Sequence, residues 1–148
     1  MRALVLVALA ACGREPELAS CKDSIGGMWR DAQGRRWAVM DHGPRVEAFP
    51  DWPDTAPPPG APPDLEIAPR AIDLNRTGDQ LSGAVHRRFM KGADGCDPAV
   101  PIRVRACRGK TLELELADPP APTSFAPCVM PNIPPPAVTT WTWERSGP

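Results

Sequence analysis

From Gly26 onward, apolar and polar residues alternate in short runs separated by turn signals, and no stretch long enough for a globular helix keeps an apolar stripe at i, i+3, i+4, i+7. The alternation is clearest where Ile102, Val104 and Ala106 oppose Arg103 and Arg105, and where Leu112, Leu114 and Leu116 oppose Glu113 and Glu115. Successive residues of a strand point to opposite faces, so each run predicts a strand with one dry and one wet side. Paired antiparallel, these two strands bring arginines and glutamates together on the wet side, each cross-strand pair contributing only about 0.2–1 kcal/mol.

The same pattern predicts strands from Gly27 to Arg30, Arg36 to Asp41, Arg45 to Phe49, Ala71 to Arg76, Gln80 to Met90, Ile102 to Cys107, Thr111 to Ala117 and Thr139 to Arg145. Asp31-Ala32-Gln33-Gly34, Asp41-His42-Gly43-Pro44, Thr77-Gly78-Asp79 and Arg108-Gly109-Lys110 lie between them. Each suits a tight turn, because glycine accepts positive φ and aspartate bonds the backbone two residues on. Eight short strands joined largely in sequence predict an all-β fold, a small antiparallel meander barrel or a barrel-like sandwich. Closure removes exposed strand edges, which favours a barrel in so small a sheet protein. Trp141 and Trp143, two apart, share a face and supply much of the core.

Proline changes this picture in two places. Of the 21 prolines, eight fall between Pro50 and Pro69 and eight between Pro119 and Pro136. Lacking backbone donors, these segments are expected as extended loops, with Cys128 pinning the second to the body. Prolines at this frequency also exclude a helical bundle. The length, 148 residues, suits one ordinary domain. Eighteen acids against 17 bases, spread along the chain, leave no basic stripe for nucleic acid.

Met1-Arg2 precedes the apolar run Ala3 to Ala11, which ends at Cys12. At about 1.5 Å per residue this run is far shorter than a ~30 Å hydrocarbon core, so it reads as a short secretory signal rather than a membrane span. Leu9-Ala10-Ala11-Cys12 resembles the bacterial lipobox. The resemblance implies cleavage before Cys12 by the lipoprotein signal peptidase, thioether lipidation of Cys12 and acylation of the new N-terminus. The membrane, reached through lipidated Cys12, is then a partner. Gly13 stands where an aspartate signals inner-membrane retention in enterobacterial lipoproteins, which favours the outer membrane over the inner. The implied layout is a signal peptide over 1–11, a lipidated N-terminus and tether over 12–25, and one β-domain over 26–148 with proline-rich insertions at 50–69 and 119–136.

Cys21, Cys96, Cys107 and Cys128 remain, an even number in an exported chain, and two disulfides are expected. Three connectivities are open. Cys96 with Cys107 and Cys21 with Cys128 is preferred, since the first two cysteines bracket one short segment. The spacings contain no C-x-x-C or H-x-x-x-H pair, so metal ligation is not expected.

Gly27-Met28-Trp29 in the first strand, with Arg145 after the last tryptophan strand, resembles the G-x-W and closing arginine of lipocalin-type barrels. The resemblance implies an arginine packed over Trp29 at the closed end, both residues being structural. Small periplasmic protease-inhibitor barrels share a similar first-strand tryptophan and a disulfide.

Catalytic candidates are sparse. His42 and His86 lie far apart, and Asp51, Asp54 and Asp64 sit among prolines without a fixed separation; all five read as surface residues. No nucleophile elbow, phosphate loop or zinc-protease helix occurs, so no catalytic residue, cofactor or enzymatic activity is assigned. Phe49 and Trp52, on chain stiffened by Pro50 and Pro53, are the candidate binding residues, since rigid aromatics meet a partner at low ordering cost. The expected function is that of a lipid-anchored envelope module facing the periplasm or cell surface. It either engages an envelope protein or plays a structural role; the alternatives are a carrier of small apolar ligands and a periplasmic protease inhibitor.

Overall fold

The computed structural model describes residues 17–51, 65–117, 121–132 and 138–147, with the backbone alone at 65–70. Its strands are β1 (Gly27–Asp31), β2 (Arg36–Asp41), β3 (Arg45–Pro50), β4 (Leu65–Thr77), β5 (Gln80–Lys91), β6 (Asp94–Cys96), β7 (Ala99–Arg108), β8 (Thr111–Ala117), β9 (Ser124–Phe125), β10 (Cys128–Val129) and β11 (Val138–Arg145). Around the sheet the order is β1-β2-β3-β4-β5-β7-β8-β11, every pair is antiparallel, and β11 returns to β1. The meander expected from the alternation is therefore a closed eight-stranded barrel. β6 extends the sheet beside the end of β5, and β9 and β10 form a separate small hairpin.

The alternating positions fill the barrel. Trp29, Trp37 and Trp143 are 0–1% exposed, with Val46, Ile72, Leu81, Val85 and Leu112, Leu114 and Leu116 buried around them. Trp37 stacks on Trp143 with ring centroids 4.7 Å apart and leans on Trp141 at 6.3 Å. Such pairs contribute about 0.5–1.5 kcal/mol beyond the area they bury. On the wet face, Arg103 donates to Glu115 across the β7–β8 ladder at 2.6 Å, and Arg105 reaches the same carboxylate at 3.4 Å.

Several expectations change. The disulfides are Cys21–Cys107 and Cys96–Cys128, not Cys96 with Cys107 and Cys21 with Cys128. Cys96 precedes β7 and Cys107 lies near its end, and the extended strand from Ala99 to Cys107 rises roughly 25 Å, far beyond the ~7 Å that a disulfide spans. On a loop-entropy account the observed rings contribute about 4–5 and about 3–4 kcal/mol. The register of β7 also slips between Val104 and Ala106, a bulge that turns Cys107 rather than Ala106 inward.

The segment expected as a tether up to residue 25 is instead fastened to the barrel from Leu18, which exchanges backbone hydrogen bonds with Gly109 at 2.8 and 2.7 Å. Leu18, Cys21 and Ile25 are buried there. Finally, β4 begins at Leu65, inside the first proline-rich stretch. Leu65 to Pro69 pair with β5 alone among the described strands, and the register breaks between Pro69 and Ala71, which is how proline is accommodated.

β4 and β5 approach each other closely at Gly83, which stands opposite Leu74. A Cβ there would overlap the Asp73 carbonyl oxygen and approach its carbon to 2.9 Å. Gly83→Ala is expected to lower stability by at least about 1–3 kcal/mol in denaturant titrations. Gly95→Ala, whose Cβ would meet only flexible side chains, the Met90 sulfur at 3.1 Å and Arg88 Nη2 at 3.6 Å, should stay within about 0.5 kcal/mol of the parent.

Candidate functional site

The two ends of the barrel are built differently. At one end lie the β2–β3, β4–β5 and β7–β8 turns, covered by the strap of residues 18–26. At the other lie the β1–β2 turn, β6 and the roots of both proline-rich segments.

The strap is held by a polar centre that alternation places inside. Asp41 shares the inward face of β2 with Trp37 and Val39, and Arg76 shares that of β4 with Ile72 and Leu74. Their side chains are only 2% and 12% exposed. Arg76 Nη1 donates to Asp41 Oδ1 at 2.8 Å and to Gly43 O at 2.6 Å; Nη2 donates to Asp41 Oδ2 at 2.6 Å and to Asp23 O at 3.3 Å; Nε donates to Cys21 O at 3.0 Å. All five guanidinium donors are used. Asp41 also accepts the Ile25 and Gly43 amides at 2.8 and 2.9 Å.

Beside this centre, Trp29 Nε1 donates to Ile25 O at 2.8 Å and the Arg145 guanidinium lies 4.9 Å from the Trp29 ring centroid. Arg145 Nη2 further donates to Ser24 O at 3.2 Å. Trp29 and Arg145 are thus structural residues of the strapped end.

At the far end Asp31 organises the β1–β2 turn. Its carboxylate accepts the Gln33 and Arg35 amides at 3.0 and 2.9 Å, Arg35 Nε at 2.7 Å and the buried Trp37 Nε1 at 3.3 Å. The Trp143 indole N–H, on the register neighbour of Asp31, is buried without a hydrogen-bond partner among the described residues. Cys96–Cys128 pins the β9–β10 hairpin to this end.

The outer wall carries two apolar features. Met28, Ala38 and Phe49 are register neighbours on β1, β2 and β3, with Met40 close by; Met40 and Phe49 are 45% and 38% exposed. A shallow groove of about 610 Å³ runs over β5, β7, β8 and β11, lined by Pro101, Ala117 and Val138 and bordered by the Arg103–Glu115 pair.

Phe49 therefore stands on the outer wall, whereas Trp52, Asp54, Asp64 and Cys12 lie outside the described residues. His42 Nε2 lies 3.5 Å from Glu47 and His86 Nε2 3.2 Å from Asp73, while Asp51 pairs with Arg36 at 3.0 Å, so the structure does not join them in one site. Among the described residues no group of three or more His, Cys, Asp or Glu is placed to hold a metal. The Asp41–Arg76 centre was missed in the sequence, although the parity that buries Trp37 and Leu74 also turns these two charges inward. No protein family, curated protein or solved structure matches the chain.

Burial alone pushes the Asp41 carboxyl up. The Arg76 hydrogen bonds, the Ile25 and Gly43 amides and the Arg76 charge outweigh it and hold the group below its ordinary value. Hydrogen bonds from the Ser20 and Ala19 amides lower Asp23 in the same direction. A folded-state value below the unfolded one means stability that is complete above about pH 4 and is lost as pH falls through the folded value. Thermal unfolding should therefore vary little from pH 7 to 5 through these groups and weaken below about pH 4, and Asp41→Asn should remove much of that acid limb. Asp41→Ala, which strands a buried guanidinium, is expected to cost about 3–5 kcal/mol in denaturant titrations. Phe49→Ser, on the outer wall, should stay within about 0.5 kcal/mol of the parent.

Proposed function

We propose that the chain is a bacterial envelope lipoprotein, lipidated at Cys12, whose barrel acts as a binding or structural module towards an envelope partner and carries no chemistry of its own. The outer membrane is the preferred site, with the domain in the periplasm or at the cell surface. The observation that carries the module reading is the occupied interior. Three buried tryptophans and the surrounding aliphatic side chains take up the space that a carrier of the same strand number keeps for its ligand. Recognition then falls to the outside, where Phe49 and Met40 are presented. The anchor rests on Leu9-Ala10-Ala11-Cys12 following an apolar run, and the two disulfides agree with an oxidising compartment.

One observation favours the second reading, a lipocalin-like carrier of a small apolar ligand. The buried Trp143 N–H lacks an acceptor among the described residues, and a ligand with a polar head would supply one. Titration with fatty acids, followed by tryptophan fluorescence, separates the two: a packed interior gives no saturable change, while saturable quenching that is lost in a Trp143→Phe variant supports the carrier. The anchor is checked by mass spectrometry of the membrane fraction. Cys12 is expected at the N-terminus with its acyl chains, Cys12→Ser is expected to leave the membrane, and an unmodified Cys12 thiol defeats the assignment.

A further inference from the structure

The strap fixes how far the barrel can stand from a bilayer. Leu18 is bonded through its backbone to Gly109, Cys21 is joined covalently to Cys107, and Arg76 and Arg145 hold the carbonyls of Cys21, Asp23 and Ser24. The chain between an anchor at Cys12 and Leu18 is therefore five residues, whose six steps even fully extended reach only about 20 Å. The barrel is taller than this. Ten-residue β7 rises roughly 30 Å along its own axis, and at the usual tilt of 35–45° it stands about 21–25 Å high before its turns are added.

We propose that the strapped end is the membrane-facing surface of the protein and that its partner there is the phospholipid headgroup layer. This inference rests on the lipoprotein reading above. The far end cannot be brought against the bilayer, because the tether would have to run the whole height of the barrel and is too short to do so. The surface turned to the headgroups consists of the β2–β3, β4–β5 and β7–β8 turns and the strap, with Lys22, Arg108 and Lys110 exposed and Asp79 beside Lys22 at 3.4 Å. The β1–β2 turn, β6 and the disulfide-held β9–β10 hairpin face away, towards the space in which an envelope partner is met.

Glycines happen to report on both ends. Gly43, Gly78 and Gly109 lie at the strapped end, and Gly34, Gly92 and Gly95 at the far end. The test uses full-length protein isolated from membranes, labelled with ¹⁵N-glycine and placed in nanodiscs that carry a gadolinium-chelating lipid. Amide relaxation of Gly43, Gly78 and Gly109 is expected to be enhanced several-fold more than that of Gly34, Gly92 and Gly95. Inserting about a dozen Gly/Ser residues after Gly13 should abolish the contrast, since a flexible chain of that length reaches around the barrel. Equal enhancement at both ends of the parent protein overturns the orientation while leaving the anchor in place, and a contrast that survives the insertion overturns the short tether as its cause. A mass spectrum without lipid on Cys12 overturns the anchor and this inference together.

Discussion

The guanidinium of Arg76 holds the strapped end together. Five donors from one side chain meet a carboxylate on β2, the β2–β3 turn and two carbonyls of the strap. A buried ion pair is costly to desolvate, and such a pair is tolerated when every lone pair and proton is satisfied. Here satisfaction depends on three separate pieces of chain being in place at once. The barrel end, the turn and the strap are therefore coupled, and the Cys21–Cys107 bond makes the arrangement covalent.

The interior and the strapped end divide the work of stability. Inside, bulk apolar volume dominates, and three tryptophans let a 148-residue chain with two proline-rich segments fill a closed barrel. At the end, where strands stop and backbone groups lose their ladder partners, directional bonds take over. The Trp29 ring belongs to both regimes: its face meets Arg145, its body joins the core and its N–H holds Ile25 O.

Local alternation made most of the sheet legible. Each strand read from the sequence is present with ends shifted by a few residues, and the Arg103–Glu115 pair follows from period two alone. What stayed hidden depends on contacts distant in sequence. Cysteine pairing looked local because Cys96 and Cys107 are close in the chain, but an extended strand separates them, and a bulge at Arg105 was needed to aim Cys107 at the strap. Residues 18–25 read as a polar tether because Leu18, Cys21 and Ile25 have no regular period; only the barrel end gives them something to pack against. The inward parity of Asp41 and Arg76 was visible, but their partnership spans 35 residues and two strands. Of the binding candidates, Phe49 is placed on the outer wall and Trp52 lies outside the described residues.

The overhang of β4 and β5 beyond the barrel, extended by β6, leaves sheet margins unpaired among the described residues, where closure elsewhere removes them. Such margins invite a second copy of the chain to add a strand. Pro69 withholds a backbone donor on one side, while on the other β6 is only three residues long and Cys96 ties it to the β9–β10 hairpin. A proline at this margin thus leaves one fewer donor for an incoming strand, on a hairpin whose two strands run to 13 and 12 residues.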